Sequence, residues 1–199
     1  MTIVTIIIII LFRITFDEKS HVYSFDGIQL KYSVTEFISQ YFDKFDPDIA
    51  INKMKRSSRW PRPEYSFKDK NGQEVALSDK AIKEKWDKIG EYARNKGSWM
   101  HYNIERFLNN LEPSKTLVEL QQFEKFYNEI VVKRGIEPWR TEWRIAAPDL
   151  SLGGSVDFVG KCLDGTYAII DWKRSKNLES NIGNGYGRKG LNINIIYYL

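Results

Sequence analysis

Gly153-Gly-Ser-Val-Asp157-Phe-Val159 and Tyr167-Ala-Ile-Ile-Asp171-Trp-Lys173, with Leu163-Asp-Gly165 between them, are the stretch on which the fold turns. Both segments are short, rich in β-branched and aromatic residues, and separated by an Asp-Gly turn, so they read as paired strands. Asp157 and Asp171 each follow an apolar strand segment. Side chains alternate along a strand with period 2, so Asp171 and Lys173 share one face. Carboxylates and an ammonium group converging at a sheet edge are costly to bury without partners. A divalent cation resolves that cost, and Mg²⁺ keeps waters that can attack a phosphate. Taken alone, Asp171 and Lys173 also read as a plain ion pair at the end of a strand.

Working outward, Trp139-Arg-Thr-Glu-Trp-Arg-Ile145 alternates like a further strand. Upstream the character is mostly helical. An amphipathic helix is expected over 116 to 134, ended by Gly135 as its C′ residue. Another is expected from Ser78 to Lys96, with Ala81, Ile82, Trp86, Ile89 and Ala93 inward. Gly97 should break or bend the chain there, and Ser98 should cap a separate helix to about Leu111. Residues 14 to 32 read as a β-hairpin with Asp26-Gly27 as a turn. Ser33-Val-Thr-Glu36 has the form of a capping box, opening a helix with Phe37, Ile38, Tyr41 and Phe42 on one face and ending near Asp46-Pro47. A short helix over 48 to 54 leads into the basic loop Lys53 to Arg62 around Trp60. The expected fold class is therefore α/β, a small mixed β-sheet flanked by helices, with a helical N-terminal half.

Length and composition bound this reading. The chain of 199 residues is enough for one domain, and 42% hydrophobic content suffices for a packed core. A formal charge of +4 is compatible with a polyanionic partner but equally with a solvated lysine-rich surface. The single cysteine, Cys162, excludes an intramolecular disulfide and a cysteine zinc cluster, and fits an intracellular, reducing compartment. The apolar run Ile3 to Phe12 is too short to span a bilayer, which needs roughly 20 residues. It lacks the features of a secretory signal, so no membrane association is expected. Residues 1–13 are set apart as an apolar leader of unknown role: a strand, a mis-assigned start or an aggregation-prone segment.

One more motif lies upstream. Gly97-Ser-Trp-Met-His101-Tyr-Asn-Ile-Glu105 places His101 and Glu105 at i and i+4 on one helix face. A neutral imidazole nitrogen is a metal ligand and makes Mn²⁺ at least as acceptable as Mg²⁺. A core histidine bonded to a carbonyl is the plainer alternative for His101. Gly97-Ser98-x-x-His101-x-x-Ile104-Glu105, then Gly154-Ser155-x-Asp157, then Asp171-Trp172-Lys173 resembles the RecB-like branch of the PD-(D/E)XK nucleases, in motif order and in spacing. Tyr32-Ser-Val-Thr35 and Trp139-Arg-Thr-Glu-Trp143 resemble flanking segments of its members. The resemblance covers roughly residues 14 to 190.

The resemblance implies a restriction-endonuclease-like core in a single domain, 14–199. It implies a metal, Mg²⁺ or Mn²⁺, bound by His101, Asp157, Asp171 and the main-chain carbonyl of Trp172. Lys173 would orient the attacking water and stabilise charge on the phosphate, and Glu105 would support the site. The implied activity is hydrolysis of DNA phosphodiesters, exonuclease favoured, in repair, recombination or replication. Alternatives are an inactive nucleic-acid-binding relative and a module active only within a larger replication or repair complex. Ser98, Arg56, Arg59, Trp60, Arg174, Arg188 and Lys189 are candidate nucleic-acid contacts, the basic loop reading equally as a solvated segment. Members of the branch usually continue into a helix carrying Gln-x-x-x-Tyr. No such motif follows Gly185-Tyr-Gly-Arg-Lys-Gly190, so the domain is expected to be truncated at its C-terminus.

Overall fold

The computed structural model describes residues 13–114, 116–175, 186–188 and 190–198, so the leader lies outside the described residues. Contacts divide the chain into Met1–Tyr41 with Lys96–Leu199, and Phe42–Asn95. The chain is a mixed α/β protein with small sheets and several helices. No helix among the described residues is long and apolar enough to cross a membrane.

In the first unit, β1 (Ile14–Asp17), β2 (Val22–Phe25) and β3 (Ile28–Gln29) form a three-stranded antiparallel sheet. Asp26 and Gly27 join β2 to β3 with φ of 50° and 77°. Two consecutive positive φ values match the right-handed strand twist, which is why Asp-Gly suits the position. Then β4 (Tyr32–Ser33) leads into α1 (Val34–Ser39). The capping box is present in full: Ser33 Oγ accepts from Glu36 N at 3.1 Å, and Glu36 Oε2 accepts from Ser33 N at 2.8 Å. That helix is shorter than its apolar spacing predicts. It stops at Ser39 and buries nothing, and Ile38, Tyr41 and Phe42 are exposed.

The second unit holds α2 (Pro47–Lys55), the antiparallel pair β5 (Ser66–Lys68) and β6 (Glu74–Ala76), and the first part of α3 (Asp79–Leu108). Asp46-Pro47 does not end a helix. It begins one: Asp46 Oδ1 accepts from the backbone of Asp48 and Ile49, with Pro47 in the first turn, where its missing N–H costs nothing. Residues 79–108 form one helix of 30 residues, where a break at Gly97 was expected. Glycine in a helix costs only about 1 kcal/mol relative to alanine, and the flanking residues outweigh it. Within this helix Ile82, Met100 and Ile104 are fully buried, whereas Ile89, expected inward, is 40% exposed. With strands β1 to β6 all before residue 77, the N-terminal half is mixed rather than helical.

After α3 come α4 (Val118–Phe126) and a π-helical continuation, Tyr127–Val132. Gly135 follows with φ of 65°. Next are β7 (Glu137–Ala147), β8 (Leu152–Lys161), β9 (Tyr167–Ser175), β10 (Tyr186–Arg188) and β11 (Gly190–Tyr198). The main sheet runs β10-β11-β9-β8-β4, with β7 also paired to β8. The C-terminal residues where the resemblance calls for a helix are strand. The core lies between this sheet and the helices, where Met100, Ile104, Leu120 and Phe123 meet Phe158, Ile170 and Trp172. Trp172 is 1% exposed, packed edge-on to Phe123 at 5.3 Å and tilted on Phe158 at 5.8 Å.

One detail of the pairing positions the site. β7 runs along one edge of β8, with a bulge between Pro138 and Arg140. On the opposite edge, β4 pairs in parallel at Leu152–Gly153 and β9 pairs antiparallel only along Phe158–Lys161. Between these two partners the sheet forks, and Asp157 is the residue at the crotch. The terminal hairpin braces the fork: Tyr23 Oη lies 2.9 Å from Ser155 Oγ, and a Cβ added at Gly153 would meet Tyr23 Cβ at 2.5 Å. Overpacking a tight contact costs about 1–3 kcal/mol. Gly153→Ala should therefore lower stability by that amount, and Ser33→Ala by about 1 kcal/mol through loss of the cap, both measurable by urea unfolding. A Gly153→Ala variant as stable as the wild type would contradict the close approach.

Candidate metal centre

Register alone brings three carboxylates together. The loop 148–151 fixes Ala147 opposite Leu152, and the same register carries Thr141 to Phe158 and Trp143 to Val156. By that count Glu142 and Asp157 face each other between those two rungs, at a position that is not itself paired. The turn before β9 fixes Lys161 opposite Tyr167 and Phe158 opposite Ile170. The next rung would pair Asp157 with Asp171. Glu142, Asp157 and Asp171 thus stand in line on three adjacent strands. α3 lays His101 over this line.

The distances make the row a site. His101 Nδ1 is 3.2 Å from Glu142 Oε1 and 3.7 Å from Asp157 Oδ1. Ligand atoms of His101, Glu142 and Asp157 all lie within 4.8 Å of one another. Asp157 Oδ2 accepts from Trp172 N at 2.9 Å. That N–H lies beyond the last paired rung of β8 and β9, so the carboxylate substitutes for the missing strand partner. Lys173 Nζ stands 2.6 Å from Asp171 Oδ1 and 4.0 Å from Asp157 Oδ2, bridging the two acids.

Electrostatics follow from burial. Asp157 is 8% exposed. Desolvation raises its pKa to about 6, although His101, the Trp172 N–H and Lys173 all oppose the rise. For His101, burial disfavours the charged ring, but the Glu142 hydrogen bond and the charges of Asp157 and Glu142 prevail, and its pKa is raised. Lys173 behaves likewise: desolvation is outweighed by Asp171 and Asp157, and its pKa is raised. Glu105, one turn beyond His101 on α3, is raised by burial and by the charge of Glu142.

The donors suit a divalent cation. One imidazole nitrogen and two carboxylates converge, and the most buried acid is held in its protonated form more than an ordinary aspartate because no full counter-charge meets it. That mixed nitrogen and oxygen set is acceptable to Mn²⁺ and Mg²⁺.

Of the sequence-derived site, His101 and Asp157 are brought together, and Asp171 and Lys173 join them through the lysine bridge. Asp171 stands outside the three-residue cluster, with Glu142 in it instead. Ser98 is exposed on α3, one turn before His101. Arg174 lies on the other face of β9 from Lys173, its Nε 2.7 Å from Glu119 Oε1 and only 22% exposed, which makes it a structural partner of α4 rather than a free cation. Arg56, Arg59 and Trp60 fall in the second unit. Arg188 contributes only described backbone, and Lys189 lies outside the described residues.

Sequence reasoning missed Glu142. Flanked by Arg140 and Arg144 on the polar face of an alternating strand, it reads as one of a run of solvated charges. Counting back from the loop 148–151 places it opposite Asp157, and that count was the available signal. Its backbone is unusual as well, with φ of 44° inside a strand. A non-glycine residue held there costs of order 1–3 kcal/mol, and such strain clusters at functional sites.

Raised values on Asp157 and His101 give a definite pH dependence. An acid raised above its unfolded value of 3.8 favours the fold when protonated, and that advantage is lost as pH rises through about 6. A raised histidine likewise stabilises below 6.5 and ceases to as pH rises through its folded value. Chelator-treated protein should thus lose stability as pH climbs from 4 to 7, on the order of 3 kcal/mol from Asp157. Thermal melts of Asp157→Asn should show a flatter profile, and an equally steep one would contradict the assignment. Added Mn²⁺ should raise the wild-type Tm at pH 7, with Glu142→Gln weakening the metal by at least about tenfold.

No family model, curated protein or solved structure matches this chain, so the chemistry of the site is read from its own side chains.

Proposed function

We propose that the chain is a metal-dependent nuclease that hydrolyses DNA phosphodiester bonds, built on a restriction-endonuclease-like core of the PD-(D/E)XK type, RecB-like branch. The single observation carrying this reading is the lysine bridge beside the metal cluster. Lys173 Nζ lies within 4.0 Å of both Asp157 and Asp171, while Asp157 faces His101 with its other oxygen and has Glu142 within 4.8 Å. Metal-ligand donors on one side and an ammonium paired to Asp171 on the other suit phosphodiester hydrolysis.

His101, Glu142 and Asp157 would hold Mg²⁺ or Mn²⁺, with Asp171 and the Trp172 carbonyl as further donors. Bound there, the cation supplies a Lewis acid for a phosphoryl oxygen and lowers the pKa of an attacking water. The protein's own groups do the rest. Asp157 is anchored by the Trp172 N–H, so its free oxygen keeps one direction. Lys173 holds its proton, since Asp171 and Asp157 raise its pKa, and so acts as a fixed positive charge toward a pentacoordinate phosphate rather than as a base. Asp171 holds Lys173 in place. Glu105, raised by burial and by Glu142, is placed to exchange a proton with water at the edge of the site.

Exonuclease action in repair, recombination or replication, in an intracellular setting, completes the proposal. A net charge of +4 is compatible with a polyanionic substrate. End-labelled single- and double-stranded DNA should be cut with Mn²⁺ or Mg²⁺ and not with EDTA. Asp171→Ala and Lys173→Ala should each reduce the rate by about 10²–10⁴, with circular dichroism unchanged. A folded wild type that cuts neither substrate with either metal would sink the enzyme, and salt-sensitive DNA binding without cutting would leave an inactive binding relative.

A further inference from the structure

The unit Phe42–Asn95 contains a cleft of about 620 Å³ that the proposed catalysis does not use. Phe45, Lys53, Met54, Arg62, Tyr65 and Trp86 form most of its wall. Its volume falls in the range of roughly 300–1,000 Å³ typical of small-molecule sites.

The rings are held in position. Trp86 Nε1 donates to Tyr65 Oη at 3.0 Å, and the two rings meet edge-on at 6.3 Å. Trp60 stacks on the Tyr65 ring at 6.2 Å, and Phe45 lies tilted to Trp86 at 5.8 Å. Phe45 is nevertheless 73% exposed, so aromatic surface is left open to a ligand among the described residues.

Charge is arranged as selectively. Three lysines of this unit are occupied: Lys55 pairs with Asp79, Lys83 with Asp48 at 2.7 Å, and Lys85 donates to the Glu64 carbonyl. Lys53 and Arg62, which line the cleft, form no ion pair among the described residues. Among the described residues no carboxylate lines the cleft. A fixed aromatic wall with two unpaired cations fits a flat aromatic ring joined to an anion. Bases stack on aromatic side chains at about 1–3 kcal/mol each, and a guanidinium matches phosphate oxygens in pairs.

We infer that this cleft binds a nucleoside phosphate, its base against Phe45 and Trp86 and its phosphate on Lys53 and Arg62. The ligand is either a free nucleotide or the terminal nucleotide of a strand. Nucleotide capture here needs no metal and stands whether or not the metal centre cuts DNA. Trp60, whose ring is stacked on Tyr65, braces the wall instead of meeting the base, and Trp86, which reads from sequence as core, is the platform.

Calorimetric titration of the full chain in EDTA tests this, using thymidine 5′-monophosphate, a 5′-phosphorylated single-stranded oligothymidylate, thymidine and inorganic phosphate. The monophosphate or the oligonucleotide should bind saturably below about 10 mM, with thymidine and phosphate at least tenfold weaker. Equal affinity per site for monophosphate and oligonucleotide identifies a free nucleotide as sufficient, and tighter oligonucleotide binding identifies a strand terminus. Lys53→Gln with Arg62→Gln, both exposed and so harmless to folding, should weaken either ligand at least tenfold with Tm unchanged. No saturable binding by monophosphate or oligonucleotide, binding of phosphate as tight as monophosphate, or wild-type affinity in the double variant would each overturn the assignment. Retained nucleotide binding in a protein that fails to cut DNA would remove the nuclease and leave the cleft.

Discussion

The carboxylate of Asp157 is buried at the point where the main sheet forks, and much of the first unit is arranged around that one placement. Its Oδ2 replaces a strand partner for the Trp172 N–H, which ties β8 to β9 just past their last paired rung, where the two strands part. Its Oδ1 faces His101 from α3. A carboxylate so far from water is stable only if positive charge or hydrogen-bond donors meet it. Here Lys173 and the imidazole meet it in part, and its raised pKa is the measure of what is left over. Any group that completes the compensation, a divalent cation foremost, gains affinity from a cost the fold has already met.

That placement explains the division of labour between the faces of β9. Trp172 points inward and fills the core with Phe123 and Phe158. Asp171 and Lys173 point to the site, and Arg174 returns to the helical side to pair with Glu119. Alternation along four residues therefore ties the site to the core. Motion of the Trp172 ring would move both site residues that flank it, while the Asp157 contact to its N–H limits that motion.

Much of this was legible in the sequence, and the pattern of what was not is physical. Strands β7, β8 and β9, the Asp26-Gly27 turn, the Ser33–Glu36 capping box and the Gly135 terminus rest on short-range rules, and short-range rules sufficed, whereas β10 and β11 were not read. His101, Asp157, Asp171 and Lys173 were visible as spaced motifs. The unbroken α3 was not, because glycine's helix cost is smaller than the packing of Met100 and Ile104 that follows it. The early end of α1 was not, because apolar spacing does not say whether a face finds a partner. Glu142 was not, because its role arises from strand register across a hairpin and not from its neighbours in sequence. The cleft of the second unit draws on Phe45, Lys53, Arg62 and Trp86, which no local motif unites.

Glu142 carries a further implication. Glycine would relax its backbone, and asparagine tolerates that conformation better than most residues. Neither restores a carboxylate facing His101. Selection for stability and selection for the site therefore pull in opposite directions at this one position. A stabilising screen that ignores chemistry would be drawn to replace it, and the more thermostable protein it returned would have given up the acid that faces His101 in the candidate metal centre.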